Sequence, residues 1–367
     1  MAGTLAITRR ALAIALILLM PPVLVAYLGE QGIPGFRWAS LARIGWPYSL
    51  WAGAALGMIG ALAWSALLRD RADDRLHAWA DLIVRRTLTL VFLSYGLSKL
   101  FRLQFYEPYF HWQETPAGDL SGFELTWYFF GASFAYSIFI GLGEISAALL
   151  LLARRTSNIG ALLLMVVGGN ILAVNIAYGI GVAHFAGLML AGAVYILLCD
   201  ATRLIAFFFG SGATPPRADP HPSGPARAIV LGTAIVAVLL PIADKVRDVP
   251  RGLPVSMALT GAWRITADGA PPIQSARRIG SALEWQRISF EKNFGGNQVA
   301  VWTRDSLVRG RFQADTAMRT LRIHLRDTRD TPAFEGTWEL RSDSVALLRG
   351  LAGADSVTLH LRRTRVP

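Results

Sequence analysis

Two ionisable residues stand inside apolar runs, where charge is costly. Lys99 ends the helical stretch 85–101, RRTLTLVFLSYGLSKLF, and Glu144 sits within GLGEI, residues 141–145. In a membrane helix each marks a functional site by default, because such groups must face the protein interior. A glutamate there can hold or pass a proton, and a lysine can bind an anion or hand on a proton. Tyr95 lies four residues before Lys99 and shares its helix face. Asn170, Asn175 and His184 are the other polar side chains of the same region. A helix rises about 1.5 Å per residue and the apolar core is about 30 Å thick, so Lys99 falls about 10 Å below the outer face and Glu144 about 15 Å deep. Asn170 is expected at a similar depth, with Asn175 and His184 flanking the outer turn of a hairpin. The expectation is a polar pocket facing the outer leaflet, with Lys99 and Glu144 as its catalytic pair. Tyr95, Asn170, Asn175 and His184 would bind ligand.

Each residue also has a plainer reading. Lys99 could snorkel to the outer head groups, and Glu144 could be its structural partner. Asparagines within spans commonly hydrogen-bond between helices. His184 is the one histidine in the expected spans, so bis-histidine haem ligation within the chain is excluded. A single cysteine, Cys199, excludes an internal disulfide, a CxxC pair and a thiolate metal cage. No metal site is expected.

The elements that must position these residues are apolar spans. Of 367 residues 53% are hydrophobic and 17% charged, with mean hydropathy +0.41, the profile of an integral membrane protein. Seven spans are expected, at 11–28, 49–68, 86–101, 134–153, 159–178, 180–199 and 228–243. The first follows Arg9 and Arg10 and carries Pro21 and Pro22, which should kink it. We read it as retained rather than cleaved. Trp38, Trp46 and Tyr48 suit an interface belt, and the aromatic stretch 104–130 suits a segment lying in or dipping into that interface. Residues 69–75 read as a solvated loop, and the proline-rich 210–227 as a linker.

With the N-terminus inside, the inner segments hold 12 arginines and the outer connections four arginines and lysines. The C-terminal domain then lies outside the cytoplasm of a bacterial-type inner membrane. That domain, from residue 247, has 19 arginines and lysines against 12 acids. Its charge favours anionic lipid head groups as neighbours, and nucleic acid is a poor alternative. From about residue 255 the period changes to two. Leu321, Ile323 and Leu325 alternate with Arg322, His324 and Arg326, and Val357, Leu359 and Leu361 with Thr358, His360 and Arg362. Eight strands are expected, near 259–266, 285–291, 298–304, 306–313, 317–326, 334–340, 344–349 and 356–363, in an up-and-down barrel or strongly bent sheet.

Residues 85 to about 199 resemble the DoxX family of four-helix membrane proteins. The features that carry the likeness are Arg86, the helix ending YGLSKL with Gly96 and Lys99, and GLGEI with Gly143 and Glu144, followed by Arg154 and two further apolar helices. LTGAWRI, with Gly261 and Trp263, resembles the first strand of lipocalin-like barrels. The expected layout is two N-terminal helices in 1–82, a DoxX-like core in 83–209, linker and seventh span in 210–246, and a lipocalin-like β domain in 247–367. The DoxX resemblance implies a quinone-linked redox role, as an oxidoreductase accessory subunit with a quinone cofactor and a partner redox subunit. The absence of a cysteine pair argues against independent thiol chemistry. The alternative is a membrane-anchored binding or scaffold protein whose outer β domain holds a lipid, an apolar ligand or a partner. A transporter ranks lowest, for want of paired broken helices or an inverted repeat.

Overall fold

The computed structural model describes residues 2–30, 48–67, 73–210, 225–252, 258–266, 285–291, 297–304, 306–326, 332–353 and 355–364. Trp38, Trp46, the loop before residue 73 and most of the proline-rich stretch lie outside them. Two compact units divide the chain: residues 1–104 with 135–247, and residues 105–134 with 248–367.

The first unit is helical. Its elements are α1 (Ala2–Glu30), α2 (Tyr48–Leu67), α3 (Asp73–Leu100), α6 (Phe134–Leu150), α7 (Ser157–Ala177), α8 (Ala183–Cys199), α9 (Ala201–Phe209) and α10 (Pro225–Gly252), with Phe134 of α6 and the last residues of α10 falling in the other unit. Each expected span coincides with a helix. Three helices are long and apolar enough to cross a membrane: Ala6–Glu30, Ser157–Ala177 and Pro225–Val249. The number rises to five if each bent pair, α5 (Gly122–Ala132) with α6 and α8 with α9, is one span. α3 is outside that set because it carries charge along its length, and α2 because its described apolar part is only Ala52–Trp64. α1 runs through Pro21 and Pro22 as one helix. The core of this unit gathers Leu16, Met20 and Tyr27 of α1, Leu88 and Val91 of α3, Leu164 of α7 and Met189 and Tyr195 of α8.

The second unit is built on a closed barrel of eight antiparallel strands: β1 (Gly261–Thr266), β2 (Arg287–Phe290), β3 (Gln298–Trp302), β4 (Leu307–Asp315), β5 (Thr320–Leu325), β6 (Phe334–Ser342), β7 (Val345–Ala352) and β8 (Asp355–Arg363). β1 pairs with both β2 and β8, so no strand edge is left open. Alternation builds the core: Leu321, Ile323 and Leu325 of β5 and Val357, Leu359 and Leu361 of β8 are buried. Trp263, fully buried, donates its indole N–H to the Leu259 carbonyl at 2.7 Å, and the Arg363 guanidinium lies 4.6 Å from its ring centre.

The aromatic stretch after α3 belongs to this barrel unit. It forms α4 (Phe110–Glu114), a 3-10 turn (Ala117–Asp119) and α5. Its acids hold it to barrel arginines: Glu114 pairs with Arg287 at 3.2 Å, and Glu124 with Arg309. Glu114 also accepts a 2.6 Å bond from the Thr364 hydroxyl. Arg287 and Arg309 are thereby tied to the segment. Its ends are drawn together by Phe105, stacked on Phe130 at 4.7 Å and edge-on to Trp127 at 5.5 Å. A Cβ at Gly131 would stand 2.1 Å from the Tyr106 carbonyl oxygen, so only glycine permits this closure.

Candidate functional site

Lys99 and Glu144 meet because glycines let α3 and α6 approach. A Cβ at Gly96 would lie 2.8 Å from the Gly141 carbonyl oxygen, and one at Gly141 would lie 2.9 Å from the Gly96 carbonyl oxygen. Each glycine sits three residues, nearly one turn, before the charged residue on its own helix. The ammonium of Lys99 donates to both oxygens of Glu144, at 2.9 and 2.8 Å. Lys99 is 4% exposed and Glu144 1%, so the snorkelling reading of Lys99 gives way to a closed pair. Lys99 also lies in the last turn of its helix, where a cation suits the helix dipole.

The ammonium has a third acceptor. The side-chain carbonyl of Gln104 accepts from Lys99 at 2.9 Å. Gln104 is brought back by the way α3 ends. Leu103 N–H bonds the Ser98 carbonyl at 2.7 Å and Arg102 N–H the Lys99 carbonyl at 3.2 Å, with Arg102 at φ 54°. That is a Schellman closure with arginine where glycine is usual. Tyr95 lies beside the pair, its ring centre 5.6 Å from the Lys99 nitrogen. Behind it Tyr27 of α1 packs 5.9 Å from Tyr95 and 5.6 Å from Phe185, centre to centre.

Of the other expected ligand residues, two stand apart from this buried pair. Asn175 is buried on α7, whereas Asn170 and His184 are exposed. The buried face of α7 runs through Gly160, Leu164, Gly168 and Asn175. Two residues beyond Gly168 is about 200° around the helix, which turns Asn170 outward. Of the six expected residues the structure brings together Lys99, Glu144 and Tyr95, and it adds Gln104 to them.

The first unit holds further buried charge. Asp244 and Lys245 of α10 are buried and 2.9 Å apart, and Arg247 reaches Asp244 at 2.7 Å. From sequence, Lys245 and Arg247 read as charges just beyond a span. Arg85 bonds Asp81 at 2.9 Å and the carbonyls of Leu151 and Leu152, each at 3.2 Å. Arg86 reaches the carbonyls of Leu152 and Val230. These arginines therefore tie the C-terminal end of α6 to α3. His77 bridges Tyr195 at 2.9 Å and Arg9 at 3.2 Å.

In the barrel unit the sequence reading missed Glu291, 3% exposed. It follows β2, where Ile288 and Phe290 face the core, so Ser289 and Glu291 fall on the outer face. The carboxylate accepts from Phe110 N–H at 2.8 Å, His111 N–H at 3.1 Å, His111 Nδ1 at 2.8 Å and Ser289 Oγ at 2.8 Å. It serves as the cap of α4, whose own N-cap residue Tyr109 supplies no side-chain bond. Burial pushes the Tyr109 and Tyr106 hydroxyls up from their ordinary range. Among the described residues no group of three or more His, Cys, Asp or Glu side chains could hold a metal ion.

Comparison with known proteins gives one relative. The uncharacterized protein YwoB of Bacillus subtilis (strain 168) is 36% identical over 124 residues, which cover 34% of this chain and 79% of that protein. No family model matches the chain. No solved structure matches it either.

Proposed function

The chain belongs to the family of the Bacillus subtilis protein YwoB, and we propose that it is a multi-pass inner-membrane protein of DoxX type serving a quinone-linked redox system. One observation carries this reading: a lysine and a glutamate, closed on each other, inside an apolar helical unit. A contact needed only for packing is commonly made as well or better by apolar side chains. Glycine-lined helices could have closed without charge, so the pair serves chemistry.

The chemistry suits a carbonyl compound. Lys99 offers three N–H groups, two directed to Glu144 and one to an amide carbonyl, that of Gln104. A quinone carbonyl entering from the lipid takes the place of the Gln104 oxygen and accepts the same bond. Tyr95, Tyr27 and Phe185 supply flat apolar surface for the ring. Glu144 can take up a proton from the ammonium beside it, and burial keeps water from competing. The protein acts as an accessory subunit, with electrons handled by a partner subunit. The N-terminus is cytoplasmic and the barrel unit lies outside the cytoplasm.

The test is organic extraction of gently purified protein with mass spectrometry of the extract, beside the Glu144→Gln variant. Stoichiometric quinone in the native protein and loss in the variant is the expected result. No quinone in either, or equal amounts in both, overturns the reading.

A second reading has its own observation. The barrel interior is occupied by the protein's own side chains, among them Trp263, Phe290 and Phe334 at 0% exposure. The barrel then acts through its outer surface, as a docking module for a protein partner. Crosslinking in membranes that recovers one stoichiometric partner through barrel residues would favour it.

A further inference from the structure

We infer that one end of the barrel, the end at which β1 begins, docks on anionic phospholipid head groups. The inference rests on the reading of the chain as a membrane protein and not on the quinone.

Antiparallel neighbours reverse at every turn, so β1, β3, β5 and β7 all start from the same end of the closed barrel. The turns that precede β5 and β7 lie at that end. Four arginines gather there. Arg319 is in the β4–β5 turn, and Arg341 leads into the β6–β7 turn. Arg362 stands opposite Val345, the first residue of β7, and on its other side opposite Arg264 of β1. All four are exposed, and none is paired with an acid among the described residues. Of the acids at this end, Glu291 is buried against the N–H groups of α4. Asp315 accepts from the N–H groups of Ala317 and Met318 at 2.8 and 2.9 Å, which fixes the turn. Asp343 and Glu339 remain against the four arginines.

Three features of this end are unfavourable in water. Trp263 and Leu361 face the core, so Arg264 and Arg362 face outward, directly opposite each other, and like charges so placed repel. Arg319 has φ 53°, a left-handed conformation that a non-glycine residue adopts at a cost. Met318, beside it in the turn, is 71% exposed, more than any other large apolar side chain described in this unit. An anionic bilayer surface answers these features together. Its phosphates neutralise the arginine pair and bind Arg319, and Met318 dips to the apolar layer beneath the head groups. The chain also delivers this end. It comes to β1 from α10, and Gly252 and Gly261 are nine positions apart, a reach of at most about 30 Å. Lipid phosphates are then the anions nearest to hand.

The test uses the full-length protein in lipid nanodiscs. Cys199 is replaced by alanine, and a water-sensitive nitrobenzoxadiazole dye is attached at Met318→Cys. One set of discs is phosphatidylcholine alone, and the other includes phosphatidylglycerol. Both contain a nitroxide-bearing lipid that quenches the dye by contact. Strong quenching in the anionic discs, weak in the neutral ones and reduced by salt, is the expected result. Arg264→Gln and Arg362→Gln should each lower the ratio of docked to free barrel about fivefold, as loss of one arginine at an anionic surface does. Neither should lower the thermal midpoint, since each relieves a repulsion. A dye at Ser306→Cys, in the β3–β4 turn at the other end, should stay in water. Equal quenching in both kinds of disc, equal quenching at the two ends, or no change in the arginine variants overturns the inference. A dye at Met318→Cys that stays in water in anionic discs overturns it too, and leaves the outer surface of the barrel to a protein partner. All these outcomes leave the membrane reading standing. A chain that does not enter discs removes that reading and the inference together.

Discussion

Lys99 and Glu144 each make the other tolerable. Removing one leaves an uncompensated charge in an apolar unit, which costs about 3–5 kcal/mol. Lys99→Met is therefore expected to lower the thermal midpoint clearly, and the double variant Lys99→Met, Glu144→Gln to recover most of the loss. A double variant no better than the single one would show that the pair is not coupled. The two charges were legible in the sequence because they interrupt apolar runs. Gln104, Asp244 and Glu291 were not, because a polar residue at the end of a span or strand reads as solvated. Glu124 gives a pH test. Burial pushes its carboxyl up, but hydrogen bonds from Ser121 and Arg309 outweigh this and hold it below the usual range. A depressed carboxyl adds stability above its unfolded value of about 4.3, and that stability is lost as pH falls through the folded value. Hydrogen exchange in α5 should therefore stay slow at neutral pH and accelerate in acid below about pH 4. Glu124→Gln should flatten that dependence.

At the level of elements, the close approach of α3 and α6 rests on Gly96 and Gly141. Gly96→Val would drive its side chain into the Gly141 carbonyl and Ile145, spreading the helices. The expected outcome is rapid carbodiimide labelling of Glu144 in a protein that still assembles. At the end of α3, Arg102 holds a left-handed conformation that costs a non-glycine residue about 1–2 kcal/mol. Helix existence was legible here from apolar run length. Helix rotation was not, since α7 is apolar nearly all round, and Asn170 and Asn175 fall on different faces. Strand existence was legible from alternation, and all eight expected strands are present.

At the scale of the molecule, the barrel unit draws on a distant piece of chain. The outer faces of β1 to β3 bury Ala262, Ser289, Ala300 and Trp302 as well as Glu291. Residues 255–367 produced alone would expose such positions. They should melt lower than the same stretch joined to residues 105–134, and the joined form should regain slow exchange near β2. Equal stability of the two forms would mean that the segment rides on the barrel without supporting it.

Periodicity and composition determined the local outcome: apolar helices in the first part of the chain, and a meander of eight strands in the last. Those follow from the nearest neighbours along the chain, where the burial of alternate or every third to fourth residue is written directly. Only the tertiary structure decided which faces meet. It closed Lys99 on Glu144, set Gln104 against them, turned Asn170 and His184 away, and gave the aromatic segment to the barrel. The physical reason is that these outcomes depend on helix rotation and on contacts between residues far apart in the chain, such as His111 and Glu291 or Glu114 and Thr364, 250 positions apart. No local pattern encodes the partner of a buried charge.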